Sequence, residues 1–278
     1  MLKRLVKGLK YIIKGTPVKY IKAEISYLAP DKRLEGRKIL ITGGGRGLGL
    51  AMARKFVSEG ADVLITGRNA DTLAKVADET GCRWMVWDVS HVEAAPEMLA
   101  KAEAQLGGLD TLVNNAGISL HEKDIRDVSV EGFDIQLSTN LRGAYFLSRA
   151  FVEMVEEKKM EKADILFISS ERGDYADDLP YGITKNAVNC LVKGLAKRFG
   201  PQRVRVNAVA PGVTATDMTG FDEDGNLYAG YNVTDRVYLP GEVAEIACFM
   251  LSDAARCISG QVLVCNEGKS VNAHWRQL

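Results

Sequence analysis

From Lys38 onward the chain alternates seven short apolar runs with stretches of helical spacing, and that alternation restricts the fold more than any other feature. Lys38–Thr42, Asp62–Thr66, Arg83–Trp87, Leu109–Val113, Ala163–Ser169, Val204–Ala208 and Gln261–Cys265 read as strands. Between them, Leu48–Glu59, Ala70–Thr80, His91–Gln105, Glu131–Met160, Tyr181–Phe199 and Gly241–Ser252 carry the spacing of helices. Runs this short and continuously apolar suit strands buried on both faces. Strand–helix alternation gives parallel pairing with right-handed crossovers. The pattern predicts an α/β, doubly wound, Rossmann-like fold: a seven-stranded parallel sheet with helices on both faces. No linker, repeat or low-complexity tract interrupts residues 36–278, so they are expected to form one domain.

Composition narrows the function classes. The apolar fraction of 46% supports a real core, and the net charge of zero gives no overall bias toward nucleic acid or membrane. Charge is uneven, however: residues 1–38 hold eleven Lys/Arg against three Asp/Glu. The five cysteines are scattered without a C-x-x-C pair, and the three histidines are far apart. That predicts no disulfide framework and no metal site, and a reducing cytoplasm fits best. No apolar run is long enough to span a bilayer, and the N-terminus lacks the marks of a signal peptide.

Thr42-Gly43-Gly44-Gly45-Arg46-Gly47-Leu48-Gly49 follows the first strand and opens the first helix. Glycines there let backbone approach a pyrophosphate, and the free N–H groups and dipole of a helix start hold the anion. At the end of the second strand an NAD enzyme usually places an acid for the ribose 2′-hydroxyl. This chain has Arg68, and its next carboxylate is Asp71, which reads as a residue of the following helix start. A guanidinium binds a 2′-phosphate that a carboxylate would repel. Arg46 is placed to approach the same phosphate. The cofactor expected is NADP(H).

Tyr181-Gly182-Ile183-Thr184-Lys185 puts a phenol and an ammonium on one helix face. A nearby cation favours phenolate and should bring the phenol down from its ordinary value of about 10. Alone, the pair could equally be a surface Tyr/Lys.

The pair is not alone. Thr42–Gly49, Asp88-Val89, Asn114-Asn115-Ala116-Gly117, Asn140, Ser169-Ser170, Tyr181-x-x-x-Lys185, Asn207–Gly212 leading to Thr216, and Ile258-Ser259-Gly260-Gln261 occur in one order. In this the chain resembles the short-chain dehydrogenase/reductase family, its short single-domain branch, over about residues 36–268. The resemblance implies that Tyr181 is the acid/base for the alcohol–carbonyl oxygen. It implies that Lys185 binds nicotinamide-ribose hydroxyls and tunes Tyr181, that Ser170 holds the substrate oxygen, and that Asn140 helps hold a water linking Lys185 to solvent. It assigns Gly43, Arg46, Gly47, Leu48, Gly49 and Arg68 to the phosphates. Asp88 and Val89 go to the adenine, Asn115, Ala116 and Gly117 to the adenosine ribose, and Pro211, Gly212, Val213 and Thr216 to the carboxamide. It also implies a homodimer or homotetramer acting on a small carbonyl or alcohol, with no nucleic-acid partner.

Two segments depart from the family pattern. Ser170 and Tyr181 stand eleven positions apart, closer than is usual, and the loop between them, Glu171–Asp178, is unusually charged. The segment from Thr216 to Pro240 is expected to cover the substrate. Its Asp222-Glu223-Asp224, Phe221, Tyr228 and Tyr231 point to a polar or sugar-like substrate, or else the charges face water. The tail beyond Asn266, with His274-Trp275-Arg276, could border the substrate mouth or another subunit.

Residues 1–35 lie outside the resemblance. Leu2, Leu5, Val6, Leu9, Ile12 and Ile13 fall within a ~120° arc at ~100° per residue, with five basic residues opposite, and Pro17 should end the helix. A basic amphipathic arm of this kind either contacts a membrane peripherally through residues 1–15 or packs on protein. The leading expectation is an NADP(H)-dependent oxidoreductase interconverting a carbonyl and a secondary alcohol by hydride transfer. The alternatives are a 3-oxoacyl thioester reductase, a sugar epimerase or dehydratase, and a non-catalytic nicotinamide-binding sensor.

Overall fold

The computed structural model describes residues 19–23 and 32–271. The amphipathic helix expected over 1–15 and the tail with His274-Trp275-Arg276 lie outside the described residues. The seven strands are β1 (Lys38–Thr42), β2 (Asp62–Gly67), β3 (Arg83–Val86), β4 (Thr111–Asn114), β5 (Ala163–Ile168), β6 (Val204–Pro211) and β7 (Val262–Cys265). They form one sheet in the order β3-β2-β1-β4-β5-β6-β7, and all six pairings are parallel. The expected doubly wound fold is the observed one. The chain reverses direction across the sheet between β1 and β4, where such sheets open a crevice at their carboxyl edge.

Each strand supplies alternate residues to opposite faces, as its period of two dictates. Leu40, Leu64, Leu112, Ile165 and Phe167 enter one core, together with Leu99, Leu147, Phe151 and Val188 from the helices covering that face. Ile39, Ile41, Val63, Ile65, Leu166 and Ile168 enter the other, with Met52, Phe56, Val243 and Ala247. The covering helices among the described residues are α1 (Gly47–Ser58), α2 (Ala70–Thr80), α3 (Ala95–Leu106), α4 (Val130–Leu137), α5 (Ala144–Glu157), α6 (Pro180–Phe199) and α7 (Pro240–Leu251). Asn69, not Asp71, caps α2: its side chain accepts from the Thr72 N–H at 2.9 Å.

The long helical region expected over Glu131–Met160 is present, but it runs as α4 and α5 joined by a π-helical turn at Ser138–Gly143. Such turns insert an extra residue and often mark functional sites. Gly143 ends the turn against β3's following loop, where a Cβ would stand 2.7 Å from the Val89 carbonyl oxygen. Hydrophobic spacing averages over an inserted residue and so does not report it.

Residues 213–239 fold beside the carboxyl edge of the sheet. Thr214 bridges Tyr238 and Tyr228 bridges Arg236. Ala215, Leu227, Ala229, Val237 and Leu239 form a small core of their own, against which Ala23 packs. Lys19–Ala23 therefore straps this segment: Leu227 N donates to the Ile21 carbonyl at 3.1 Å, and Lys19 pairs with Asp235 at 2.8 Å.

Candidate active site

At the switch point, Thr42 Oγ1 accepts from the backbone N–H groups of Asn115 and Ala116 at 3.0 and 3.1 Å. The Asn115 side chain donates to the carbonyls of Thr42 and Gly43 at 2.9 and 3.0 Å. These bonds tie the loop after β4 to the glycine loop. Gly43 adopts φ 67°, which favours glycine. A Cβ on Gly49 would collide with the Gly43 carbonyl, so α1 begins directly against the loop. The result is a backbone cradle opening on a crevice of about 910 Å³.

Every residue assigned above to the cofactor lines this crevice, and so do Ser170, Tyr181 and Lys185. Asn140 does not. It is buried behind Gly117, where its Oδ1 accepts from Ile118 N at 2.8 Å and its Nδ2 donates to the Ile118 carbonyl at 2.9 Å. Nδ2 also reaches Thr184 Oγ1 at 3.2 Å, joining the π-turn to the helix that carries Tyr181. A Cβ on Gly117 would lie 3.4 Å from Asn140 Oδ1 and 3.5 Å from Lys185 Nζ, so glycine leaves both groups close to the crevice wall.

At the adenosine end, Arg68 and Arg46 are exposed. Asp88 Oδ1 accepts from Ser90 N at 2.9 Å. Burial works to raise the Asp88 carboxyl, but the Ser90 bonds and the charges of Arg68 and His91 outweigh it and hold the group below its ordinary range. Arg46 reaches across the crevice mouth to Asp217 at 3.4 Å, a partner the motifs did not indicate.

At the other end, Ser169 is committed to α6, donating to Asn189 Oδ1 at 2.6 Å. Ser170 instead lines the crevice with Tyr181, its Oγ accepting from Arg172 N at 3.2 Å. Lys185 is buried, and its Nζ donates to the Ile168 carbonyl at 2.8 Å. Desolvation brings its ammonium down to about 8.

Tyr181 differs from expectation. Burial, the largest influence, raises its phenol above the ordinary value; a Ser170 hydrogen bond and the Arg172 charge oppose it. Lys185 Nζ is 5.6 Å from the ring centroid and donates to a backbone carbonyl.

Of the two readings of the 216–240 charges, the structure bears out the one in which they face water. Asp222, Glu223 and Asp224 are exposed to water and do not line the crevice, whereas Phe221 and Tyr231 do. On the loop after β5, the charged residues that line it are Glu171 and Arg172. Glu171 is buried and accepts from Lys269 at 2.8 Å and Asn266 at 3.1 Å. Arg172 is paired with Asp177 at 2.5 and 2.7 Å. The unusual charge of the loop was visible in the sequence, but its direction and partners were not. Among the described residues no group of His, Cys, Asp or Glu is placed to hold a metal, and no helix is long and apolar enough to cross a membrane.

Known proteins share this arrangement. A family model described as enoyl-(acyl carrier protein) reductase matches residues 43–270. Gluconate 5-dehydrogenase of Gluconobacter oxydans is 32% identical over 86% of this chain and 96% of its own length. The NADP-dependent (R)-specific alcohol dehydrogenase of Lentilactobacillus kefiri is 33% identical over 85% and 97%. The solved structure of a 3-ketoacyl-(acyl-carrier-protein) reductase from Brucella melitensis, complexed with NADH, superposes with a TM-score of 0.78. It is 30% identical, and the match covers 85% of this chain and 99% of that one. With the glycine cradle, the switch-point crevice and the serine, tyrosine and lysine on its wall, these matches make the chain a member of the short-chain dehydrogenase/reductase family.

Proposed function

We propose that this protein is an NADP(H)-dependent oxidoreductase that interconverts a carbonyl and a secondary alcohol, with Tyr181 carrying the proton. The observation supporting this most directly is the convergence of Ser170, Tyr181 and Lys185 on the crevice that the glycine loop opens. The Gly43–Gly49 contact, which a single Cβ would fill, fits a pyrophosphate lying against backbone. Bound there, nicotinamide supplies or accepts the hydride. The residues do the rest. Gly43, Gly47, Leu48 and Gly49 present backbone to the phosphates, and Arg46 and Arg68 take the 2′-phosphate. Asp88 and Val89 border the adenine, and Asn115, Ala116 and Gly117 border its ribose. Pro211, Gly212, Val213 and Thr216 hold the carboxamide side.

In reduction, Tyr181 Oη gives its proton to the forming alkoxide while Ser170 donates a hydrogen bond to the same oxygen. In oxidation, the proton returns to Oη. Lys185 holds ribose hydroxyls and a positive charge near the ring. Asn140 fixes the Ile118 backbone and α6, and in the family's manner supports proton exchange through a water. NADP(H) over NAD(H) rests on Arg68, with no acid following it in the chain until Asp71. The named cofactors of the similar proteins are of both kinds.

The substrate is read as a polar or sugar-like carbonyl, since Glu171, Arg172 and Tyr231 line that end. The 3-oxoacyl thioester reading is favoured by the name of the Brucella neighbour. We also read residues 36–278 as one catalytic domain preceded by the arm, in a cytoplasmic homodimer or homotetramer. NADPH oxidation measured against sugars, simple ketones, steroids and 3-oxoacyl thioesters tests the reading. Turnover of a ketose or hydroxyketone supports it, thioester-only turnover selects the second reading, and cofactor binding with no turnover contradicts both.

A further inference from the structure

We propose that Arg172 is a second cation on Tyr181, a positioning residue that acts on the proton carrier through space and that this chain's short loop has brought into the site. The proposal rests on the reading of Tyr181 as the proton carrier.

The geometry is built and not incidental. The Arg172 guanidinium lies 5.9 Å from the Tyr181 ring centroid, as near as Lys185 at 5.6 Å. Its backbone is fixed by Ser170, whose Oγ accepts from Arg172 N at 3.2 Å and opens the short turn Glu171–Gly173. Its other end is fixed by Asp177, which accepts from both Nε and a terminal nitrogen. A bidentate fork of this kind sets direction as well as distance. Asp177 is anchored in turn on the start of α6: it accepts from Leu179 N at 3.0 Å, and a Cβ on Gly182 would collide with its carboxylate. Gly182, next to Tyr181, is therefore the residue that admits the clamp.

Other charged or titratable groups surround the phenol. Lys185 is on the same helix, and Tyr175 and Asp177 are on the loop. Glu171 is neutralised by Lys269, and His121 and Tyr231 line the same crevice. Arg172 approaches the ring from the loop side, and its charge favours the Tyr181 phenolate.

A division of labour between the two cations follows from chemistry. The buried Lys185 ammonium titrates at about 8, so its charge falls away toward the alkaline range in which alcohol oxidation needs phenolate. A guanidinium stays charged throughout. Arg172 therefore supplies a positive charge that pH does not remove, partly offsetting the burial that makes the phenol a weak acid.

The test is the pH profile of kcat/KM for NADP+ reduction with 1-phenylethanol or a hexitol, whichever the enzyme turns over. NADPH binding checks the fold of each variant. Arg172→Met is expected to move the rising limb about one pH unit higher, a tenfold loss below the limb. Arg172→Lys should recover most of that shift. Asp177→Asn, which keeps the acceptor for Leu179 and removes the counter-charge, should move the limb the other way. A limb that stays in place in both Arg172→Met and Asp177→Asn overturns the proposal, as does loss of activity in Arg172→Lys equal to that in Arg172→Met. Tyr181→Phe separates the two levels. If it is inactive while the Arg172 profiles are unshifted, only this inference fails; if it is active, the reading of Tyr181 fails first.

Discussion

The glycine-loop side of the crevice is shaped mainly by backbone, and the side at Glu171 and Arg172 by side-chain ion pairs. On the first, Thr42 and Asn115 wire the glycine loop to the next crossover through five hydrogen bonds with main-chain groups, and Gly49 presses against the Gly43 carbonyl. On the second, Lys269 holds Glu171 and Arg172 holds Asp177, while outside the lining Arg236 holds Glu242 and Lys19 holds Asp235. Backbone geometry admits few residues at each position, whereas an ion pair can be made by many residues in many places. The first side is therefore suited to a fixed ligand and the second to a variable one.

That contrast can be broken by substitution, with effects that should fall in order. Gly49→Ala should do most damage, because backbone must move to admit the methyl: about 1–3 kcal/mol of stability and loss of NADPH binding, read by thermal unfolding and by titration. Retained binding would mean that the cradle is looser than described. Lys185→Met should abolish turnover yet stabilise the cofactor-free protein at pH 7 by about 2 kcal/mol, the relief of desolvation less the lost bond to Ile168. The sign follows from the folded value of about 8, below the ordinary 10.5. The penalty is full below pH 8 and fades as pH rises toward 10.5, so the two melting curves should converge at alkaline pH. Arg68→Glu should lower the NADP/NAD preference about 10- to 100-fold, the worth of one charged hydrogen bond; an unchanged ratio would remove Arg68 from phosphate recognition. Lys19→Ala, at an exposed pair, should leave the melting temperature unchanged. A clear drop there would show that the strap over residues 226–228 is a structural support.

The same contrast explains what could be read from the sequence. The seven strands, the switch point and the glycine loop were legible because continuous apolar runs and glycine stereochemistry are local. Arg68 was legible for the same reason, as a residue type at a fixed place after β2. The π-turn around Asn140 was not, since one inserted residue leaves the apolar spacing nearly intact. Glu171 and Arg172 were seen as odd charges, but their partners Lys269 and Asp177 are set by the packing of the loop and the C-terminal segment. Asp222, Glu223 and Asp224 face water because the small core of Leu227, Val237 and Leu239 turns that stretch outward. The burial that raises Tyr181 in the cofactor-free protein was not legible, because the spacing of tyrosine and lysine says nothing about what covers the phenol, or about the carbonyl to which Lys185 points.

The central claim is that one half-buried phenol moves the proton in a crevice otherwise devoted to holding the dinucleotide. Replacing it with Phe removes the hydroxyl and little else, so NADPH titration and steady-state turnover of the same Tyr181→Phe preparation measure the claim directly. The account predicts an NADPH affinity within a few-fold of the parent and a turnover lower by about 10²–10⁴. Turnover within a factor of two of the parent, with binding intact, would contradict it.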